Sequence, residues 1–214
     1  MKQTRRDFLR AGGSVLLFTC AGFGGGASGC ASTGIATENR HYAGDPSMAK
    51  SALVIYGTRA GSTAEVADFV GKTLSESGWS VDVKDVKTVQ EVEGYQAVII
   101  GSGIRAGRVY SEVKDFVKNH QTGLQKMPVA YFVVCMAMRN DTPEKRIAAD
   151  AYLDPLREEV KPVDVGLFAG KMDPDRLGTL DKLMQKIRNM PVGDFRDWKS
   201  IEDWSRALAP KLQQ

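Results

Sequence analysis

Histidine is almost absent from this 214-residue chain, which has only His41 and His120. A hydrolytic Ser-His-Asp or Cys-His set needs an imidazole beside its nucleophile. His41 falls in a polar stretch ahead of the first strand, and His120 lies on an apolar helical stripe where a structural role is expected. Cysteine is scarce as well. Cys20, Cys30 and Cys135 show no paired spacing, so neither a zinc site nor a disulfide framework is expected. The net charge is only +3. Lys2, Arg5, Arg6 and Arg10 against Asp7 account for all of it, so the rest of the chain is balanced and has no basic footprint for nucleic acid. No metal-ligating constellation stands out, nor does a carboxylate pair with a clear role. With 43% hydrophobic and 26% charged residues, the composition is that of a globular chain.

The first thirty residues do not read as fold. Thr4-Arg-Arg-Asp-Phe-Leu-Arg10 is followed by an uncharged stretch of Val, Leu, Phe, Ala and many Gly. This resembles a twin-arginine export signal. The glycines leave the stretch only mildly apolar, which argues against a stable membrane-spanning helix. Ala27-Ser28-Gly29-Cys30 resembles a lipoprotein box, with Cys30 as the candidate lipid anchor; ordinary cleavage nearby is the alternative. The expected location is therefore the periplasm, free or membrane-anchored. Residues 31–50 are small and polar and read as a flexible tether, leaving 51–214 as the folded domain.

From Ser51 onward strands and helices alternate. Ala52–Tyr56, Gln96–Gly101 and Pro128–Val134 are apolar, β-branched runs of the kind buried on both faces. Ser80–Asp85 alternates as a half-exposed strand, expected at the sheet edge, and Val163–Ala169 is a fifth strand. Helices are expected over Thr63–Ser77, Ser111–His120, Pro143–Glu159 with a break near Pro155, and Leu177–Met190. A last helix covers Ser200–Leu212, with Ser200 and Asp203 as a near capping box. Five strands with intervening helices imply a parallel sheet covered on both faces. In such sheets ligands bind beyond the carboxyl ends of the strands. The candidate site therefore lies among three loops: Gly57–Ser62, Ser102–Arg108 and Cys135–Thr142.

In the first loop Thr58, Gly61, Ser62 and Thr63 crowd hydroxyl and N–H groups at a helix start. Unpaired N–H groups and the helix dipole suit a phosphate there. It is neither a Walker loop nor Gly-x-Gly-x-x-Gly, and a plain helix cap is the alternative. In the second loop Gly103 and Gly107 would let the backbone pass beside a flat ring, or form a plain turn. In the third, Met136 and Met138 could pack on an aromatic cofactor but more often are core, and Cys135 reads as an inert buried thiol. Arg105, Arg108, Arg139, Lys145 and Arg146 would give a positive rim for an anionic substrate or a reduced cofactor, unless they are ordinary solvated surface.

Taken together, Tyr56-Gly-Thr-Arg-Ala-Gly-Ser-Thr63, Ile100-Gly-Ser-Gly-Ile-Arg-Ala-Gly107, the Val113–His120 helix followed by Met127-Pro128, Thr142-Pro-Glu-Lys-Arg146 and Gly193-Asp-Phe-Arg-Asp-Trp198 with Ile201 and Trp204 resemble the flavodoxin-like proteins. Within that group the chain is most similar to the menaquinone-dependent protoporphyrinogen dehydrogenase family, over residues 51–210. The resemblance implies an α/β flavodoxin-like fold, a doubly wound five-stranded parallel sheet of order 2-1-3-4-5 with helices on both faces. It also implies FMN, with the phosphate on Thr58, Arg59, Ala60, Gly61, Ser62 and Thr63. The ring would lie between Ser102, Gly103, Ile104, Arg105, Ala106 and Gly107 on one side and Val134, Cys135, Met136 and Ala137 on the other. The implied activity is oxidation of a tetrapyrrole substrate, with electrons passed to quinone. Residues 139–157 would be the part that meets membrane and quinone, and Arg105, Arg108 and Arg139 the candidate substrate contacts. The competing expectations are an exported flavodoxin-type carrier serving a redox protein partner, and a flavin-free scaffold.

Overall fold

The structure is a computed structural model that describes residues 39–45, 50–187 and 189–213. The twin-arginine-like segment, Cys30 and much of the stretch read as a tether lie outside the described residues.

Three continuous apolar runs make the centre of the sheet: β2 (Ser51–Gly57), β4 (Ala97–Arg105) and β6 (Val129–Cys135). They are buried on both faces, and their period-two alternation sorts the side chains into two cores. Ala52, Val54 and Tyr56 join one core with α1 (Ser62–Glu76) and α7 (Trp198–Leu208); Leu53 and Ile55 join the other with α2 (Ser111–Asn119). With β3 (Ser80–Asp85) and β7 (Asp164–Ala169) the parallel strands run β3-β2-β4-β6-β7. This is the expected order 2-1-3-4-5.

Two differences from the expected pattern concern the sheet's periphery. β3 is not an edge, because β1 (Arg40–Tyr42) pairs antiparallel along it, inside the stretch read as a tether. Side chains hold β1 in place. His41 Nδ1 lies 2.7 Å from Asp82 Oδ1, while Arg40 and the Tyr42 hydroxyl donate to Asp68 at 2.8 and 2.6 Å. The second loop, read as a glycine-rich stretch that passes beside a flat ring or makes a plain turn, is a tight hairpin. β4 continues to Arg105 and returns as β5 (Arg108–Val109) through Ala106 and Gly107, whose φ values of 51° and 75° are those of a primed two-residue turn.

The helices follow their signals with local corrections. The expected helix over Pro143–Glu159 divides into α4 (Pro143–Asp150) and α5 (Asp154–Arg157), with the break ahead of Pro155. α3 (Gln121–Leu124) follows α2 directly. His120 caps α2 and bridges the carbonyls of Phe116 and Gln90, each at 2.9 Å, so it is structural as expected. α7 is capped by Asp197, not Ser200: Asp197 accepts from the Ser200 N–H at 3.1 Å and from its hydroxyl at 2.7 Å.

Between β7 and α7 the chain makes a strap, residues 170–197. Its base is a two-strand ladder of β8 (Lys171–Met172) and β9 (Gly193–Asp194), with α6 (Thr179–Ile187) between them. The strap is fastened to the first turn of α1. Arg176 donates to one oxygen of Glu65 at 2.7 Å and Arg196 to the other at 2.6 Å, and Arg196 also grips Asp194 with two further bonds. The Arg196 side chain is 4% exposed and lies over the Trp198 ring. Partial burial alone would push the Glu65 carboxyl up, but the hydrogen bonds from Arg196 and Arg176 hold it below its usual value. The Arg196 bonds likewise lower Asp194. Both folded carboxyls are thus depressed, so their stabilisation is full above the unfolded carboxylate range, about pH 4, and is lost as the pH falls through the folded values. Urea midpoints measured from pH 7 down to about pH 3 should fall less steeply in Glu65→Gln and Asp194→Asn than in the parent protein. Arg196→Ala should cost roughly 2 kcal/mol at neutral pH through lost packing and charge-assisted bonds.

Candidate functional site

Because β2, β4, β6 and β7 are parallel and in register, their carboxyl ends form one edge. Gly57 stands opposite Ser102, Gly103 opposite Val134, and Cys135 opposite Ala169. The three loops therefore leave side by side. Side-chain proximity confirms this. A Cβ on Gly103 would stand 3.1 Å from Thr63 Oγ1 and 2.9 Å from the Tyr110 ring, joining the second loop to the first. A Cβ on Gly170 would stand 3.3 Å from Val134 and 3.8 Å from Ser62 Oγ, joining the third loop to the first. The requirement for glycine at 103 is thus already set by Tyr110 and Thr63.

The first loop ends at Gly61, in the left-handed region at φ 87°, which is the N-cap of α1. No side chain caps this helix. By contrast, Thr142 caps α4 and Asp197 caps α7. The first-turn N–H groups of α1 thus keep their capacity to bind an anion. Thr58 Oγ1 accepts from the Gly61 N–H at 2.9 Å and holds the turn in shape. Thr63 is buried, while Ser62 and Ala60 are half-buried and Arg59 is exposed. Arg59 lies over the Tyr110 ring at 5.5 Å and 3.3 Å from Glu112. Glu112 stands in the first turn of α2; burial would push its carboxyl up, but its own backbone N–H, Arg59, Ser111 and Lys87 hold it below the usual value.

In the second loop the Ser102 hydroxyl makes two bonds within the loop. It donates to the Gly103 carbonyl at 2.8 Å and accepts from the Tyr110 N–H at 3.1 Å, so it braces the hairpin. Ile104 is half-buried, and Arg105, Ala106, Gly107 and Arg108 are exposed. In the third loop Met138 is core, whereas Met136 and Ala137 are half-buried at the rim. Burial pushes the Cys135 thiol up, against the opposing hydrogen bonds from the Met138 and Ala137 backbone, which keeps it a thiol at neutral pH.

The strap meets all three loops. Besides the Glu65 contacts behind the first loop, Asp181 on α6 takes Arg105 of the second at 2.8 Å, and the Phe195 ring lies 5.6 Å under the guanidinium of Arg139 in the third. The arginines read as a positive rim are therefore mostly committed: Arg105 to Asp181, Arg139 to Phe195, and Arg146 to Asp141 at 2.5 Å. The residues that sequence reasoning missed, Glu65, Tyr110, Glu112, Arg176, Asp181 and Arg196, act through contacts up to 131 positions apart. Of these, Arg196 falls in the run Gly193–Trp198, which enters the resemblance without a role. Its residues supply the Arg196 clasp, the Phe195 platform and the Asp197 cap.

The flavodoxin domain family model matches residues 53–197. Protoporphyrinogen IX dehydrogenase (quinone) of Escherichia coli (strain K12) is 30% identical over 171 residues, spanning 73% of this chain and 93% of that protein. The Leishmania major protein of the same name is 28% identical over 168 residues, covering 74% of this chain and 72% of the relative. A solved flavodoxin from the domain Archaea aligns over 77% of this chain and 99% of its own length, at 16% identity and a TM-score of 0.48. The chain belongs to the flavodoxin-domain family, and that membership implies FMN as its cofactor.

Proposed function

We propose that the protein is an FMN-dependent oxidoreductase that oxidises a reduced tetrapyrrole of the protoporphyrinogen type and passes the electrons to quinone. The observation that carries this is the convergence of three loops on one sheet edge around a helix start that no side chain caps. The residues fit FMN. The first-turn N–H groups of α1, with Ser62 and Thr63, would hold its phosphate, and Thr58 would keep the turn open to it. Ile104–Gly107 and Val134–Ala137 would flank the ring, with Met136 offering a polarizable contact. When bound, FMN supplies two-electron redox chemistry; the chain supplies binding, orientation and electrostatics. Arg108 and Lys145, with no charged partner among the described residues, would meet substrate carboxylates. Arg139, stacked on Phe195 with its N–H donors open, could join them, and Arg105 only by leaving Asp181.

The E. coli and Leishmania relatives, named for this reaction, support the reading. A second reading, an electron carrier without a small-molecule substrate, draws on the export-type segment Thr4–Arg10. In either case we infer export in the folded, cofactor-loaded state and a periplasmic location, with Cys30 either lipidated or removed by cleavage.

The purified protein should be yellow and release FMN on denaturation. Thr63→Ala should weaken FMN binding about fivefold or more by removing a phosphate donor, and Thr58→Ala by a similar factor through the loosened turn. Titration of the apoprotein by fluorescence quenching checks this, and unchanged affinity in the double variant would reject the assignment of the first loop. Anaerobic assay of the FMN-loaded protein with protoporphyrinogen and a menaquinone analogue should give turnover. Reducible flavin without turnover would favour the carrier.

A further inference from the structure

α6 has no buried residue. Its apolar stripe, Leu180, Leu183, Met184 and Ile187, is exposed, so the core burial that fixes an ordinary amphipathic helix does not fix this one. The half-buried side is polar: Asp181, Lys182 and Gln185. Gln185 bonds within the strap, to the Met190 carbonyl. Among the described residues one polar side-chain contact joins α6 to the loops, the Asp181 carboxylate on the Arg105 guanidinium at 2.8 Å. Both side chains meet solvent, 49% exposed for Arg105 and 34% for Asp181, and an exposed pair of this kind adds little stability. The strap is firm elsewhere. Arg176 ahead of α6 and Arg196 behind it grip Glu65, and the β8–β9 ladder closes the base. α6 therefore projects from a fixed base and is latched by one weak contact.

The cation in that latch stands where an anion is wanted. Arg105 ends β4, and Arg108 lies directly opposite it across the hairpin. Directly opposed residues of an antiparallel pair share one face, and like charges there repel. Asp181 relieves that repulsion from the Arg105 side, while Arg108 has no charged partner among the described residues. The latch also borders the cleft. The Tyr110 ring joins the first and second loops, and the pair acts on its phenol: burial pushes that group up, Arg59 and Arg105 oppose the rise, and Asp181 adds to it. A guanidinium takes a carboxylate best through two parallel N–H donors. Asp181 holds Nη2 of Arg105, so an incoming carboxylate can use that fork only by displacing Asp181.

We propose that Asp181 occupies on Arg105 the seat of a substrate carboxylate, and that α6 is a flap which a carboxylate-bearing substrate releases by taking Arg105 in its place. The exchange leaves the charge at the Arg105–Arg108 hairpin balanced, since one carboxylate replaces another. It also selects: a ligand without a carboxylate offers Arg105 nothing and leaves the flap latched. The inference rests on the reading of the site as one for a tetrapyrrole acid, and adds to it the residue that admits the acid.

The test uses the full chain loaded with FMN, with mesoporphyrin IX as the dicarboxylate probe and its dimethyl ester as the uncharged one. Fluorescence quenching reads binding, and hydrogen exchange of residues 179–187 reads the flap. Mesoporphyrin should bind and speed exchange in α6, because a nine-residue helix freed of its contact does not hold its own turns. The ester should leave that exchange unchanged. Asp181→Ala, which removes no buried residue, should speed the exchange without any porphyrin and bind mesoporphyrin about threefold more tightly. Arg105→Ala should free α6 equally, yet bind mesoporphyrin about fivefold or more weakly. Opposite effects on affinity from the two halves of one pair mark a shared seat. Effects of the same sign, or none, would reduce the pair to an ordinary surface contact and overturn the proposal. Mesoporphyrin bound with exchange in α6 unchanged would overturn it as well, and leave the tetrapyrrole reading standing. A yellow, FMN-loaded protein that binds no mesoporphyrin would overturn both.

Discussion

Glu65 stands in the first turn of α1 and takes a guanidinium on each oxygen, Arg176 on one and Arg196 on the other. A carboxylate there is favourable to the helix dipole, but it would repel a phosphate arriving at the same end. Two arginines reverse the local sign. The pair of contacts also fixes the strap, since Arg196 simultaneously holds Asp194 at the foot of the β8–β9 ladder. From that foot the chain reaches the second loop through Asp181 and the third through Phe195. Remove the clasp and the strap loses its tie to α1, while the three loops lose the segment that links them.

Much of the scaffold was legible in the chain. β2, β4 and β6 are buried on both faces, so they stand out as unbroken apolar runs, and the parallel order follows from their alternation with helices. β1 was hidden because three residues, Arg-His-Tyr, show no apolar alternation; their place is decided by Asp68 and Asp82, far along the sequence. The cap of α7 was misplaced for a local reason. Asp197 and Ser200 both suit a helix start three residues apart, and only the observed bonds show that Asp197 accepts and Ser200 donates.

The site was readable in its loops and unreadable in its surroundings. Loop position follows from strand direction, which sequence reveals. The charge state of the rim does not. Arg105 and Arg139 look free in the sequence because Asp181 and Phe195 lie in a distant segment with no periodic relation to them. Ser102 reads as a ligand group, and the hairpin that Ala106 and Gly107 turn gives its hydroxyl a second task that no local pattern shows. Exposure of the α6 stripe was equally invisible, since an amphipathic pattern states which side is apolar but not what lies against it.

The bare start of α1 has a thermodynamic corollary. α4 and α7 close their first turns with their own side chains, whereas α1, at the edge where the three loops meet, leaves its first turn open to an anion. A ligand that occupies only the native state adds RT ln(1 + [L]/Kd) to its stability, about 2.7 kcal/mol at a hundredfold excess over Kd. Loss of the flavin nucleotide would therefore lower the melting temperature as well as remove the colour. Cells short of the cofactor would accumulate a chain that opens more readily and is degraded sooner, so its abundance would track the nucleotide supply.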